Sequence, residues 1–376
     1  MKQLIVLVDA LGWITVERMG FLSDLLPYRK CLTTVFGYSS TAIPSLLTGA
    51  MPEDHGHWFL YKRALGKSPF VGASLVDRAP GNLGTRWRVR VRLQEFWRKR
   101  AGIQGYFSLY EVPMRVLGDL APVEVEDTWA PGAFPETPTL VDYLTEQKLS
   151  FFQSDWREPD AEKIAKARRS IQNENPDVVL LYLTEVDATQ HRVGTTHEEF
   201  DAKVREVEKE VRQLIDDMGG ADSVGVSLFS DHGMTDITGH HDLLAILKEA
   251  GLERGRDFEG FLDSTVARFW SMKDRSAIEK VLDSISWGKR LSDAQIKEWG
   301  VRFPDQDYGE VFFLVDPGLL ILPSDMGSAP LAAMHGYDPA DPTSDACFLA
   351  DRDLGLESDH IISVLPALKR RIEGGF

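Results

Sequence analysis

The sequence predicts an α/β fold: a doubly wound, mostly parallel sheet with helices on both faces, enlarged by two inserted subdomains. Two observations carry this. Short runs of β-forming residues recur at 4–8, 178–183 and 224–229. They lack polar alternation, as strands buried on both faces of a parallel sheet do. Each run also hands over to acidic residues: Asp9, the Glu185-Val186-Asp187 segment, and Asp231 beside His232. Open α/β sheets bind ligands outside the carboxyl ends of their strands.

In chain order, 4–8 is the first strand. A small-residue turn at Ala10-Leu11-Gly12 and an amphipathic stretch to about Leu26 follow it. Residues 31–36 read as another strand, leading into Gly37-Tyr38-Ser39-Ser40-Thr41 and a short helix that ends at Thr48-Gly49. A hydroxyl at a helix N-terminus is usually an N-cap. The same place suits a nucleophile, because free N–H groups and the helix dipole stabilise an anion there.

The composition then shifts. Residues 58–130 are rich in aromatics and read as an insertion, within which 78–100 holds eight basic residues against one acid, Glu95. On an acidic chain that stretch is either a solvated helix face or a lid or docking surface for an anionic substrate or membrane head groups. The α/β rhythm resumes with helical segments at 139–144 and 158–173, the strand at 178–183, a long amphipathic helix at 200–218 and the strand at 224–229. A second insertion spans 242–330. His335-Gly336, a returning strand at 345–350 and a helix from about Ser358 complete the pattern.

With 376 residues, 43% of them hydrophobic, the chain can bury a large core as one enlarged domain. A net charge of −16 argues against general nucleic-acid binding, which needs a basic face. Two cysteines, Cys31 and Cys347, imply no disulfide framework and suit a reducing compartment. The first apolar run is too short for a signal h-region, and no stretch reaches the length of a membrane span. The expected location is the cytoplasm, with any membrane contact peripheral and through 78–100.

The chemistry lies in Asp9, Asp187 and Asp231 with His191, His232 and His335. Three carboxylates converging in one cleft cost several kcal/mol per ion if unpaired. Two divalent cations offset them and leave room for one more anion, an alkoxide. Carboxylate and imidazole together suit zinc, with manganese as the alternative. Two metals in one cleft form a clamp for displacement at phosphorus.

These residues also carry a resemblance. Asp9 after the first strand, the Ser/Thr turn leading to Thr48-Gly49 and Pro52-x-x-His55-Gly56, Asp187-x-x-x-His191, Ser230-Asp231-His232-Gly233-Met234 and His335-Gly336-Tyr337-Asp338 stand in the order seen in the alkaline phosphatase superfamily. The chain most resembles the type I phosphodiesterase/nucleotide pyrophosphatase branch, over 1–57, 130–241 and 331–376. The resemblance implies one zinc held by Asp187, His191 and His335. It implies a second held by Asp9, Asp231 and His232, with the oxygen of Ser39 facing it as the nucleophile. Ser39 lies ten residues before Gly49 and five before Pro44, with Ser40 and Thr41 close enough to compete. The reaction implied is hydrolysis of a phosphodiester or phosphoanhydride in a nucleotide-like substrate, through a covalent phospho-serine.

The chain departs from the pattern after His55-Gly56. Related enzymes carry an Asn there, whereas Phe59 and Leu60 stand here, followed by Lys62 and Arg63, which either serve the same charge or lie at the surface. The sulfatase signature is missing, since Thr41 and Ile43 stand where Pro and Arg are needed. A phosphomonoesterase or phosphotransferase of the same superfamily, and a metal-binding module without catalysis, remain the alternative readings.

Overall fold

The structure is a computed structural model that describes residues 2–77, 84, 86–270 and 272–375. Six strands form the central sheet: β1 Lys2–Val8, β2 Tyr28–Leu32, β3 Phe151–Gln153, β4 Val178–Leu183, β5 Val224–Phe229 and β6 Ala346–Ala350. Their order is β2-β6-β5-β1-β4-β3. β1 runs parallel to both β4 and β5, and β3 runs parallel to β4, whereas β6 is antiparallel to its neighbours β5 and β2.

The three sequence-predicted strands are therefore adjacent, and their register does the positioning. Val8 faces Leu183 and Leu7 faces Phe229. Chain exits after β1, β4 and β5 thus emerge side by side at one edge, bringing the segments that carry Asp9, Asp187 and Asp231 together.

Both faces of the sheet are covered. Leu4, Val6 and Val8 point to one side, into a core shared with Ile164, Phe200 and Val204 of the helices Asp160–Asn173 and Glu198–Asp217. Ile5 and Leu7 point to the other, against Leu46 and Leu47 of the helix Ser39–Thr48 and Leu365 and Leu368 of Val364–Gly375. Because side chains alternate between two buried faces, β1 is apolar without alternation from Leu4 to Val8. Burying each such side chain contributes about 1.5–3 kcal/mol.

Some boundaries differ from those expected. The strand placed at 31–36 ends at Leu32, because Thr33 leaves the ladder to exchange hydrogen bonds with Asp359 and Ile361. The first amphipathic segment stops at Met19, where Gly20 takes a left-handed conformation. The C-terminal helix begins at Val364 rather than near Ser358, since His360 caps a separate 3₁₀ turn before it.

Segments 58–130 and 242–330 pack into hydrophobic clusters apart from the two that cover the central sheet. Within 242–330, Glu259–Leu262, Val266–Trp270, Val311–Val315 and Gly288–Arg290 form an antiparallel sheet in that order. Within 58–130, Tyr61, Phe70, Trp97 and Phe107 build an aromatic cluster that also takes in Phe261 and Trp270. Buried Arg268 reinforces this junction, pairing with Asp263 at 2.7 Å and donating to the Tyr61 carbonyl at 2.8 Å.

Candidate active site

The serine turn is shaped before it is used. Gly37 holds φ +148°, and a Cβ there would sit 2.5 Å from the Thr41 hydroxyl, so only glycine fits. Tyr38 then caps the helix Ser39–Thr48 in extended conformation. Ser39 occupies the first helical position, where backbone N–H groups have no acceptor within the helix.

Ser39 Oγ lies 3.0 Å from His232 Nε2 and 3.4 Å from Asp9 Oδ1. Thr41 faces elsewhere: it is buried and its hydroxyl accepts from the Phe59 amide at 3.2 Å. The Ser40 hydroxyl is buried without a partner. Of the three hydroxyls that compete in the sequence, Ser39 is the one set against the carboxylate and imidazole.

All six sequence-predicted acids and histidines gather around it. Glu185–Val193 is a helix, so Asp187 and His191 stand one turn apart on one face, with His191 Nε2 3.2 Å from Asp187 Oδ1. His335 Nε2 approaches the same oxygen at 3.7 Å. The ligand atoms of Asp187, His191 and His335 lie within 4.8 Å of one another, as do those of Asp9, Asp187 and His232. Asp187 is thus shared by both groups. Asp231 stands beside the second, its Oδ2 3.2 Å from His232 Nε2.

Hydrogen bonds orient these groups from behind. His191 Nδ1 lies 2.8 Å from the Ala333 carbonyl and His232 Nδ1 lies 2.8 Å from that of Gly233. Donation there leaves each Nε2 bare and able to bind a cation. Asp231 Oδ1 accepts from the Ala10 amide at 3.1 Å, and Tyr182 donates its hydroxyl to Asp9 Oδ2. Gly233 secures the loop, since a Cβ there would fall 2.2 Å from the Thr343 carbonyl oxygen.

The electrostatics call for cations. Burial pushes the Asp9 carboxyl well up, and the Asp231 and Asp187 charges add to it. Burial also raises Asp231, although His232 opposes it. His335 is held well below the usual range by burial and by its imidazole neighbours, and the His232 and His335 rings stack at 3.8 Å. Asp187 Oδ1 and Asp231 Oδ2 are buried and accept no hydrogen bond. Orphaned carboxylate oxygens facing bare imidazole nitrogens are what a divalent cation satisfies, so the donor set fits zinc.

The site opens into a cavity of about 640 Å³. Tyr106, Tyr110, Trp129 and Trp156 line it, together with Glu124 and Arg157. Arg157 pairs with Asp127 at 2.8 Å and lies 4.3 Å from the centre of the Trp156 ring. Neither Lys62 nor Arg63 lines this cavity. Lys62 binds Asp307 at 2.7 Å and Arg63 pairs with Glu310, so of the two readings open for these positions the replacement cation is not the one found. His55 is a core residue bonded to Ser45 at 2.9 Å, and burial lowers it to about 3.

Tyr182, Glu124 and Arg157 escaped the sequence reading. Tyr182 sits inside an apolar strand and reads as core. Glu124 and Arg157 lie far apart in the chain, on no recurring spacing, and only the fold joins them.

A doubly wound sheet presenting three acids, three histidines and a serine at the first position of a helix along one edge defines a protein of the alkaline phosphatase superfamily. Within it, the chain belongs to the type I phosphodiesterase / nucleotide pyrophosphatase family, which it matches over residues 3–338. The fold is similar to that of murine ectonucleotide pyrophosphatase / phosphodiesterase 5, with a TM-score of 0.70 at 15% identity over 99% of this chain and 95% of that one. The human counterpart gives 0.69 at 15% identity with the same coverage. An inactive form of the murine protein in complex with AMP gives 0.63 at 17% identity, covering 93% and 87%. No curated protein sequence matches significantly.

Proposed function

We propose that the protein is a two-metal hydrolase of phosphodiester or phosphoanhydride bonds that works through a covalent phospho-Ser39. The observation that carries this is the Ser39 oxygen set 3.0 Å from His232 among carboxylates whose outward oxygens lack partners. Asp187, His191 and His335 would hold one zinc and Asp9, Asp231 and His232 the other, supplying positive charge against the carboxylates and the phosphoryl oxygens. Ser39 Oγ attacks phosphorus and the bond to the leaving oxygen breaks. The leaving group departs with the electron pair, and water then hydrolyses the phospho-serine. The free amides at the start of the Ser39 helix stabilise charge on the phosphoryl group.

The cavity favours a diester over a monoester. A monoester carries one substituent, whereas this space is large and walled by aromatic rings that suit a planar base. The AMP complex of the structural relative supports a nucleotide-like substrate. A panel of chromogenic phosphate diesters and monoesters, dinucleotides and a sulfate ester tests this. Diesters and dinucleotides should be turned over fastest; preference for monoesters would reassign the enzyme as a phosphatase.

Two expectations follow from the surroundings of the site. Tyr182→Phe removes a hydrogen bond behind Asp9 and should weaken metal binding about 10–100-fold, read by chelator competition. Glu124 faces the substrate cavity, and burial pushes its carboxyl from 4.5 to about 7. It is neutral below that pH and charged above it, where it repels an anionic diester. kcat/KM should therefore fall roughly tenfold as pH rises through 7, and Glu124→Gln should flatten that limb. Because the folded state binds this proton more tightly than the unfolded chain, its contribution to stability is present at acid pH. That contribution is lost between about 4.5 and 7.

A further inference from the structure

We propose that the outer face of the helix Trp87–Ala101 docks the protein on an anionic membrane surface. The helix and the residue before it carry seven basic side chains against Glu95 alone, on a chain whose net charge is −16. No ion pair holds Arg86, Arg88, Arg92, Lys99 or Arg100 among the described residues, and all five are exposed. Arg78, the first basic residue of the stretch, lies outside the described residues.

Charge alone would suit any polyanion, but the apolar side chains narrow the choice. Trp87 is 75% exposed, Phe96 53% and Val91 39%. At 100° per residue, Arg88, Arg92 and Lys99 form the middle of the outer face together with Glu95, flanked by Val91 and Phe96, with Trp87 further round at the exposed start of the helix. Seven of the nine exposed large apolar residues among those described fall between 65 and 106, including Leu75 on the adjoining helix Ala73–Asp77. Aromatic rings can stack on nucleic-acid bases, but a nucleic acid gives the aliphatic Leu65, Val71, Leu75 and Val91 nothing to bury in. A lipid interface takes both, with apolar groups entering the head-group region and cations meeting anionic lipids.

The inner face shows that this exposure is a fixed feature. Trp97 is buried and donates to the Val71 carbonyl at 3.2 Å. Arg90, unlike its neighbours, turns inward and donates to the carbonyls of Leu109, Tyr110 and Val112 at 2.9–3.0 Å. The helix is thereby pinned to the loop whose Tyr106 and Tyr110 line the substrate cavity.

The test is co-sedimentation of the full chain with vesicles of phosphatidylcholine, alone or with one third phosphatidylserine. Binding should be at least about tenfold stronger to the anionic vesicles and weaken with salt. The triple variant R88E/R92E/K99E should lose roughly 100-fold, and W87A/F96A about tenfold, in partitioning. Both variants should hydrolyse a soluble chromogenic diester like the parent, which shows that they fold. Absence of binding, equal binding to neutral vesicles, or full binding by the triple variant would overturn the proposal. So would retention on duplex DNA that survives W87A/F96A while vesicles go unbound, which would make the face a polyanion site.

Discussion

Ser39→Ala should lower kcat by several orders of magnitude while leaving the fold and bound metal in place. The substitution removes the one hydroxyl among the described residues set against both Asp9 and His232, and with it the covalent route. Helix formation should survive, because Tyr38 rather than Ser39 is the cap and its side chain makes no capping bond. Thr41→Ala is the informative companion. It takes away the acceptor of the Phe59 amide and should cost about 1–3 kcal/mol of stability, with turnover per folded molecule nearly intact. Acid quench during turnover, followed by peptide mapping, should place the phosphoryl label on Ser39. A label on Ser40 would move the nucleophile by one residue and leave the metal reading standing.

Asp187→Ala should have the second large effect, and a broader one than loss of any histidine. Its Oδ1 serves the group with His191 and His335, and the same residue reaches the group with Asp9 and His232. On the proposed ligand sets, removing it would take a donor from the ion held with His191 and His335 and strip negative charge from beside Asp9 and His232, where the other would sit. Metal content should fall by about half or more and activity by at least a thousandfold. His191→Ala should lose one ion selectively, since His191 belongs to one group alone. Equal metal loss from the two variants would mean that Asp187 is not shared as the geometry has it.

The parts of the site legible in sequence are those fixed by local geometry. An acid at the end of an apolar strand lands at a sheet edge, and Asp and His four residues apart on a helix share a face. That reasoning reached Asp9, Asp187, His191, Asp231 and His232 without a fold in hand. His335 stood out beside its glycine, and the resemblance placed it in a ligand set and favoured Ser39, but Ser39, Ser40 and Thr41 are separated by single helical steps that no spacing rule resolves. Only the packing of Phe59 against Thr41 and of His232 against Ser39 distinguishes them.

What stayed hidden depends on contacts distant in sequence. Tyr182 looks like any core residue of β4 until its hydroxyl is found on Asp9, 173 positions away. Lys62 looked free to meet a phosphate, yet Asp307 from the second insertion takes it. β6 was legible as a strand, while its antiparallel direction was not, because an apolar pentapeptide carries no sign of which way it runs.

The central claim is that two cations and Ser39 act as one site, and a metal count on active enzyme tests it most directly. Protein purified without chelator and analysed by inductively coupled plasma mass spectrometry should carry about two zinc ions per chain. Activity should fall with their removal and return only as the second ion is restored. Full turnover with no more than one transition-metal ion bound would contradict the account.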